Sequence, residues 1–458
     1  MGLSQWRCLP YIKELEGALS RRRTAQHKRI PTPRVLPPEP NPFRPRETFD
    51  FSPDTPKSFY LGHHHAGLAR MREALNTIGL IIECRDFRVP ISSWNPLLEQ
   101  SLATTSNSDR PRIIVYTHCD LAPPSMEETK QLLRDFHLQA GHAREVFFTT
   151  TDAAGSRSYR DIKSEILETL KTIACERDSL LGLRAMVVGM PNAGKSTLLN
   201  GLRAIAVARS LGGASKVART GVDPGITRKM SSPVRVVEPE KRVSTRTSPD
   251  SLPSAGVGEG VFLIDTPGVF MPYVPDPERM IKLALVGCVR DGIVPSETVV
   301  DYLLFRLNLE LPPESYHGYY KDVKTHKRET KALIQNGYRP YQPDYVRRLH
   351  LSAPTNNIAE FLDTAGMRMG HLQKGGIVNL SATAQTVLHK WRKGGFGRMV
   401  LDEVTPDALE AAMVAARGEN PLSMNQARKR EKEARKEYNA AKRAGGTTWD
   451  VSGVETTV

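Results

Sequence analysis

The chain lacks any apolar run that approaches the ~20 residues a transmembrane helix needs. Its five cysteines are far apart and form no C-x-x-C pair, which argues against a structural zinc site or a dithiol redox centre. Acidic residues are fewer than basic ones: the chain has 50 Asp and Glu and 64 Lys and Arg, which gives a net charge of +14 at pH 7. This excess favours a polyanionic partner, since basic side chains release counterions from a phosphate backbone; a basic protein without such a partner is the alternative.

The chain is long enough for two domains with tails. Residues 1–48 are a basic leader and a Pro-rich linker, compatible with a mitochondrial transit peptide or with a disordered basic segment. Residues 49–275 alternate short apolar runs with helical segments, and the polar stretch 231–260 within them is interpreted as an inserted surface loop. Residues 276–405 are predicted to be helical, and 406–458 to be a basic helix with a disordered tail.

Five short runs predict strands: "GLIIECRD", "RIIVYTHCD", "REVFFTTTD", "LRAMVVGM" and "GVFLIDTPG". Each run is apolar on both faces, and helical segments separate most of them, as a parallel sheet covered on both sides requires. We therefore predict an α/β fold with a doubly wound, mostly parallel sheet, followed by a smaller helical C-terminal domain. In that domain, one helical stripe is predicted to contain Leu380, Ala384, Val387, Leu388 and Trp391.

The segment G-M-P-N-A-G-K-S, from Gly189 to Ser196, matches the phosphate-loop pattern G-x-x-x-x-G-K-[ST] between a predicted strand and a predicted helix. Backbone N–H groups at such a helix start bind phosphates, Lys195 neutralises the outer ones, and the Ser196 hydroxyl binds Mg²⁺. The predicted nucleotide contacts in this loop are Asn192, Ala193, Gly194, Lys195, Ser196 and Thr197.

Two further motifs point to the reaction class. "DTPG" ends a predicted strand, so that Asp265 is expected to hold Mg²⁺ through water and the Gly268 N–H to contact the γ-phosphate. "DPGITR" supplies Thr227, whose hydroxyl and carbonyl could complete the metal shell when a γ-phosphate is bound. A phosphate loop, this Thr and then D-x-P-G, in that order, are typical of a GTPase, and the metal ligands are predicted to be Ser196, Thr227 and Asp265.

GTPases read guanine with N-K-x-D after a strand, but no such sequence follows Gly268. Upstream, "RIIVYTHCDL" ends a predicted strand with Thr117, His118 and Asp120, and "VFFTTTD" ends the next with Thr150. These are interpreted as the base-reading loops in a circularly permuted order. Permutation is physically allowed, because ligand loops of an open α/β sheet all emerge at the carboxyl ends of the strands.

Asp120 indicates which nucleotide base the site recognises. A carboxylate accepts paired hydrogen bonds from guanine N1–H and N2–H₂, whereas adenine presents an acceptor there. The alternative is a strand that ends in an incidental acid. Thr117 replaces the usual Asn and His118 the usual Lys, so we expect guanine selectivity with modest affinity.

The order of these motifs resembles that of the YlqF/RbgA family of circularly permuted GTPases, in particular its mitochondrial ribosome-associated branch. The resemblance spans roughly 59–403 and includes "FYLGHH", "DFRVPISSWNP" and "GGIVNLSATAQTVLHKWRKGGFGR". It implies a GTPase that uses GTP and Mg²⁺ and assists assembly of the large ribosomal subunit, peripherally on the matrix side of the mitochondrial inner membrane. The specific marks in the second segment are Asp86, Arg88, Pro90, Asn95 and Pro96.

Many GTPases place a Gln after D-x-x-G to orient the attacking water, but here the residue is Val269, which has no hydrogen-bonding group. Intrinsic hydrolysis is therefore expected to be slow, and an external or remote group is expected to assist it. The resemblance implies that the ribosome stimulates hydrolysis. The resemblance implies that His63 is the catalytic residue, since it aligns with the histidine of the family's W-F-P-G-H-M motif. Without the resemblance, a surface histidine would be the default.

The C-terminal part interleaves tyrosines with basic residues, which is typical of an RNA surface with phosphate contacts and rings for unpaired bases; core aromatics and a solvated charged face are the alternative. The tyrosines are Tyr316, Tyr319, Tyr320, Tyr338, Tyr341 and Tyr345. The basic helix from Arg428 to Arg443 could contact RNA or an anionic membrane, or be freely solvated.

Three functional hypotheses follow. The preferred one is a monomeric GTPase switch that binds rRNA or a maturing large ribosomal subunit. A non-hydrolysing RNA-binding scaffold ordered by GTP is the second, and a P-loop ATPase of RNA metabolism is the third.

Overall fold

The structure is a computed structural model that describes residues 43–58, 62–103, 110–124, 126–150, 157–177, 180–209, 231–239, 257–309, 344–351, 353–418 and short fragments between 425 and 456. At 62–66, and at a few positions beside the undescribed segments, it describes the backbone alone. The basic leader, Thr227 and the tyrosine-rich segment 310–343 lie outside the described residues.

A six-stranded sheet forms the centre of the described fold, in the order β3-β2-β1-β4-β6-β5. Its strands are parallel, except that β5 runs antiparallel to β6. All five predicted strands are present, and they form because each is a run of β-branched and apolar residues. The strands are β1 (Leu80–Asp86), β2 (Arg112–Thr117), β3 (Glu145–Phe148), β4 (Leu183–Gly189), β5 (Val234–Val237) and β6 (Val261–Asp265).

Strand β5 corrects the interpretation of 231–260 as a surface loop. Residues Val234–Val237 pair with β6 at the edge of the sheet, and Val236 is buried. The remainder of the proposed loop, from 240 to 256, lies outside the described residues.

Helices cover both faces of the sheet, because successive residues of a strand point to opposite sides. Leu80 and Ile82 pack into a cluster with helices α4 and α5, whereas Ile81 packs with α1 and α2 and Ile114 with α3. The predicted doubly wound α/β architecture is therefore confirmed. These helices are α1 (Gly62–Leu75), α2 (Pro96–Ala103), α3 (Glu127–Gln139), α4 (Arg157–Arg177) and α5 (Lys195–Arg209).

Between β6 and the last described fragments, the elements of the described chain are helices, as predicted. Helix α6 begins where the Asp276 side chain accepts hydrogen bonds from the Glu278 and Arg279 N–H groups, and it ends at Gly287. Its apolar residues belong to the same hydrophobic cluster as one face of the sheet. The helices are α6 (Pro277–Val286), α7 (Ser296–Leu309), α8 (Asp344–Leu349), α9 (Ile358–Met369), α10 (Leu380–Trp391) and α11 (Pro406–Arg417). Two-residue strands, β7 (Thr448–Trp449) and β8 (Glu455–Thr456), pair near the C-terminus.

Helix α10 carries the predicted apolar stripe with one exception. Ala384, Val387, Leu388 and Trp391 are buried, but Leu380 is 39% exposed at the first position of the helix. The stripe therefore begins one turn later than predicted.

Tyr345 is a core residue, so of the two alternatives for this tyrosine the core aromatic is correct and the RNA surface is not. Its ring is fully buried against Phe361, and its hydroxyl donates a hydrogen bond to Asn308 Oδ1 at 2.5 Å. Its neighbours Arg347 and Arg348 on α8 are exposed. Among the described residues, no helix is both long and apolar enough to cross a bilayer.

Candidate functional site

The phosphate loop connects the end of β4 to the start of α5. Asn192 and Gly194 have positive φ angles of 56° and 77°, which curl the loop around a concave backbone. The Lys195 ammonium lies inside this curl and donates hydrogen bonds to the carbonyls of Gly189 at 3.3 Å and Met190 at 2.6 Å. Burial lowers the pKa of Lys195, although the nearby Asp265 carboxylate opposes the shift. The ammonium is thus held where outer phosphates of a bound nucleotide would meet it.

Ser196 and Asp265 come together beside the loop. The Ser196 hydroxyl donates to Asp265 Oδ2 at 2.5 Å, whereas the buried Asp265 Oδ1 has no hydrogen-bond partner. Burial raises the pKa of Asp265, and Lys195 opposes the shift. Two hard oxygen donors and an unsatisfied carboxylate oxygen fit Mg²⁺, which is usually held by one or two protein side chains together with phosphates and water. Thr197 follows on the exposed side of α5, and Thr227 lies outside the described residues.

The D-T-P-G segment packs directly on the phosphate loop. A Cβ on Gly268 would lie 2.6 Å from the backbone N and Cα of Pro191, so only glycine fits at this distance. The next residue, Val269, is buried, donates its N–H to the Gly189 carbonyl at 3.2 Å, and accepts a hydrogen bond from Asn95 Nδ2 at 2.8 Å. As the sequence predicts, this position offers no side-chain group to a water molecule.

The T-H-C-D segment reaches the phosphate loop from the other side. The Thr117 hydroxyl lies 3.1 Å from the Ala193 carbonyl and 3.1 Å from the Arg85 carbonyl, and a Cβ on Gly194 would lie 3.0 Å from the Thr117 methyl carbon. Strand β2 is thus locked against the loop after β4, although 76 residues separate Thr117 from Ala193. Asp120 follows in a short 3₁₀ turn and is half-buried.

Thr150 belongs to the same edge of the sheet. The preceding residue, Thr149, accepts a hydrogen bond from the Cys119 N–H at 3.1 Å, which ties the loop after β3 to the turn that contains Asp120. The Thr150 hydroxyl is buried and has no hydrogen-bond partner in the structure.

His118 is anchored beneath this turn, a contact that the sequence did not predict. Its Nδ1 lies 2.9 Å from the Thr117 hydroxyl and 3.3 Å from Asp86 Oδ2. Burial lowers the pKa of His118, and the nearby Arg88 adds to the shift, while Asp86 and Asp120 oppose it. His118 therefore occupies the Lys position of N-K-x-D as a neutral ring held towards Asp86 at pH 7.

Asp86 continues this chain of contacts to the C-terminal helices. It forms a buried ion pair with Arg88 at 2.7 Å, and Arg88 also donates to the Val286 carbonyl at 3.3 Å and lies over the Trp391 ring. The D-F-R spacing is a mark of the family resemblance, but its role depends on tertiary contacts that no local pattern reveals.

The backbone of His63 lies in the first turn of α1. Four residues later, Gly67 packs near the D-T-P-G segment, since a Cβ there would lie 3.5 Å from the Pro267 side chain. Helical positions i and i+4 share a face, so His63 is one turn from this contact. The side chain of His63 lies outside the described part of the structure.

A phosphate loop, an adjacent D-x-P-G and a T-H-C-D segment that comes from an earlier part of the chain and contacts the loop are the arrangement of a circularly permuted P-loop GTPase. Comparison with known proteins agrees with this class. The family described as "50S ribosome-binding GTPase" matches residues 184–294.

Three relatives align over most of the chain. Mitochondrial GTPase 1 of Schizosaccharomyces japonicus is 33% identical over 361 residues, which cover 76% of this chain and 90% of the relative. Mitochondrial ribosome-associated GTPase 1 of Ictalurus punctatus is 27% identical, with 78% and 96% coverage. Ribosome biogenesis GTPase A of Priestia megaterium is 26% identical, with 75% and 96% coverage.

The chain belongs to the YlqF/RbgA family of circularly permuted GTPases. It binds guanine nucleotide and hydrolyses GTP, and its relatives assign it to the mitochondrion.

Proposed function

We propose that this protein is a GTP-dependent switch in the assembly of the mitochondrial large ribosomal subunit, where it binds rRNA or a pre-ribosomal particle and leaves after hydrolysis. Two of its relatives are named for the ribosome. The observation that carries the proposal is the contact between the Thr117 hydroxyl and the Ala193 carbonyl, because it puts the segment with Asp120 beside the phosphate loop. One guanine nucleotide can then meet both motifs.

In this proposal, GTP and Mg²⁺ bind together. Backbone N–H groups from Asn192 to Thr197 hold the phosphates, Lys195 neutralises them, and Asp120 and Thr150 face the base. Ser196, Asp265 and Thr227 are the proposed metal ligands. When bound, Mg²⁺ neutralises the charge that develops on the phosphate oxygens.

The nucleotide state reaches the C-terminal helices through α6. The chain leaves Gly268 and enters this helix within nine residues, and the carbonyl of its capping residue, Gly287, accepts a hydrogen bond from Asn192 Nδ2 at 2.9 Å. The phosphate loop and the helix are therefore joined both covalently and by a hydrogen bond. A γ-phosphate that reorders Gly268 or Asn192 would shift α6 and so bias how the helical part docks.

Hydrolysis requires a group that Val269 does not supply. We propose that His63 positions or polarises the attacking water once the ribosome orders the start of α1. The segment just before this helix is bound to the residues that follow D-T-P-G. The Ser58 hydroxyl donates to the Pro272 carbonyl at 2.7 Å, and the Lys57 carbonyl accepts from the Val274 N–H at 2.8 Å. His63→Ala should lose ribosome-stimulated turnover and keep GTP binding; unchanged stimulation would remove this role.

Basic side chains on the helical part supply the RNA contacts and a peripheral contact with an anionic membrane, which we place on the matrix side of the inner membrane. The protein acts as a monomer in this proposal. Exposed basic residues in the described segments after 343 include Arg347, Arg348, Arg368, Lys429, Arg430, Lys432, Arg435 and Lys436.

Co-sedimentation with mitochondrial large subunits tests the proposal. We expect binding with a non-hydrolysable GTP analogue and release with GDP, and no nucleotide effect for Lys195→Ala. Binding with the GTP analogue but no GTP turnover, with or without large subunits, would favour the GTP-ordered scaffold. Displacement of labelled GTP by ATP as readily as by GTP would favour the ATPase.

A further inference from the structure

Asp265, the last residue of β6, lies beyond the end of the edge strand β5. The two strands pair from Val237, opposite the start of β6, to Val234, which faces Leu263. Asp265 follows two residues later and has no partner in β5, yet it is only 2% exposed. A buried backbone N–H needs a hydrogen-bond partner, because leaving it unpaired is costly. The backbone of Asp265 therefore depends on a partner outside this ladder.

Ser231 supplies that partner. Its hydroxyl accepts a hydrogen bond from the Asp265 N–H at 2.9 Å, and its own N–H donates to the Asp265 carbonyl at 3.0 Å. The contact does not continue the strand, because the register in which Val234 faces Leu263 would bring Ser232 opposite Asp265. The Ser231 side chain thus takes the place of the strand carbonyl that a ladder would offer to the Asp265 N–H.

The other side of Asp265 is held by strand β4. Asp265 is paired with Val187 in the parallel ladder, and the fully buried Thr266 donates its hydroxyl to the Val187 carbonyl at 2.7 Å. Ser231 and β4 therefore restrain the backbone of Asp265 from two sides. Without the Ser231 hydroxyl, this contact would keep only the bond from the Ser231 N–H.

The carboxylate of Asp265 gives this restraint a chemical consequence. Its Oδ2 accepts from the Ser196 hydroxyl at 2.5 Å, whereas its buried Oδ1 has no hydrogen-bond partner. The direction of Oδ1 is set by the side-chain torsions and by the backbone that carries them. Groups that orient a metal-binding carboxylate without touching the metal themselves tune the affinity for the metal.

A hydroxyl at the end of a strand can have a structural role alone, and Ser231 would then affect only stability. The place of the contact argues for more. Ser231 holds the backbone of the very residue whose carboxylate has a buried oxygen without a partner, so a change in this contact reaches that oxygen through one residue.

We propose that Ser231 is a positioning residue for the Mg²⁺ site. Through the backbone of Asp265 it fixes the direction of the carboxylate, and so sets how tightly the nucleotide complex holds the metal. The proposal rests on the metal role of Asp265 in the proposed function. It does not require Ser231 itself to touch Mg²⁺ or the nucleotide.

The test compares full-length Ser231→Ala and Ser231→Thr with wild type. Alanine removes the hydroxyl and keeps the backbone N–H, whereas threonine keeps both and suits extended backbone. The matched control is Ser232→Ala, which removes the same group from the exposed neighbouring residue.

The first measurement is hydrogen exchange at the Asp265 N–H in the nucleotide-free protein, read by mass spectrometry with fragmentation. We expect exchange about tenfold faster in Ser231→Ala, the effect of one lost hydrogen bond. Ser231→Thr and Ser232→Ala should exchange at the wild-type rate. Unchanged exchange in Ser231→Ala would show that the hydroxyl does not hold Asp265, and would overturn the proposal.

The second measurement is the release of a fluorescent GDP analogue as Mg²⁺ is titrated. We expect Ser231→Ala to need about tenfold more Mg²⁺ than wild type to slow the release by half. Ser231→Thr and Ser232→Ala should follow wild type, and every protein should release the nucleotide equally fast in EDTA.

A structural role alone would not change the Mg²⁺ requirement. Faster hydrogen exchange in Ser231→Ala with an unchanged Mg²⁺ requirement would therefore overturn the proposal. Faster release in EDTA would overturn it as well, because the substitution would then loosen the nucleotide site without regard to the metal. Release that Mg²⁺ does not slow in wild type would show that the proposed metal site itself is wrong, and the inference would fall with it; that outcome is visible without any variant.

Discussion

Replacing Arg88 by methionine should destabilise the protein strongly, because Arg88 neutralises a carboxylate that water does not reach. Asp86 is fully buried and receives the Arg88 backbone N–H at 2.9 Å, Nε at 3.0 Å and Nη2 at 2.7 Å. Methionine fills a similar volume but removes both guanidinium hydrogen bonds, which leaves Asp86 the backbone N–H of residue 88 and the nearby His118 ring. Removal of one partner from a buried ion pair costs about 3–5 kcal/mol, and we expect a loss of this size in the free energy of unfolding.

Urea denaturation of Arg88→Met measures this loss. The control is Arg46→Met, which breaks the Arg46–Asp301 pair, where the two side chains are 29% and 22% exposed; the expected loss there is about 1 kcal/mol or less. Asp86→Asn in the Arg88→Met background should recover about 2 kcal/mol, because the unpaired charge is gone. A double variant no more stable than Arg88→Met would refute the reasoning, since the loss would then not come from a buried charge.

The same pair has a pH signature. Burial would raise the pKa of Asp86, but Arg88 and His118 outweigh it and hold the pKa below the ordinary value of 3.8. In wild type the stabilisation from ionised Asp86 is therefore complete above pH ~4. It is lost only as pH falls below the pKa of Asp86 in the unfolded chain. In Arg88→Met, the opposing charge of Arg88 is gone and burial raises the pKa of Asp86. The loss of stability relative to wild type should therefore grow as pH rises above about 4, the pKa of an unfolded Asp. A deficit independent of pH would contradict this cause.

Three further predictions concern the site and its support. Gly194→Ala should weaken GTP binding about tenfold in a nucleotide titration, because φ is 77° there and the added Cβ would press on Thr117; unchanged affinity would count against the loop geometry. Asp402→Ala should cost about 1–3 kcal/mol in urea denaturation, since its carboxylate accepts the Ser92 N–H at 2.7 Å; a neutral result would deny it this role. Burial lowers the pKa of His137 in the folded state. The stabilisation from its neutral ring is therefore complete above pH ~6.5, the unfolded pKa, and the free energy of unfolding falls as pH drops, by up to about 1.4 kcal/mol per pH unit. His137→Phe should flatten that slope, and an equally steep one would exclude His137 as its source.

The strand pattern made the fold predictable, and its exceptions have physical causes. The five parallel strands are continuous apolar runs, which local composition reveals. Strand β5 is only four residues long, Val-Arg-Val-Val, and lies in a polar segment. It is ordered by pairing with β6, and no periodicity within four residues could indicate that partner. Leu380 fits the helical period but stands at the helix start, beyond the packed face.

The motifs of the site could be predicted from the sequence, but the side-chain contacts that connect them could not. Because parallel strands end at one edge, the T-H-C-D and G-K-S motifs could be expected to meet, and the Thr117–Ala193 contact agrees with that expectation. The contact of His118 with Asp86 joins residues 32 positions apart, and the link from Arg88 to Trp391 joins residues 303 positions apart. Such contacts depend on packing between elements, which the sequence patterns do not encode. For Tyr345 the sequence left an RNA surface and the core as alternatives, because basic residues surround it; the structure buries its ring.

We propose that Asp120, early in the chain, reads the base of the nucleotide whose phosphates Lys195 holds. The most direct test is the nucleotide preference of Asp120→Asn. Xanthine has a carbonyl where guanine has its amino group, so an Asn amide can donate to that carbonyl and accept from N1–H, whereas a carboxylate pairs with guanine. We expect wild type to bind GTP more tightly than xanthosine triphosphate and Asp120→Asn to reverse this preference. A variant that still prefers GTP as strongly as wild type would contradict it.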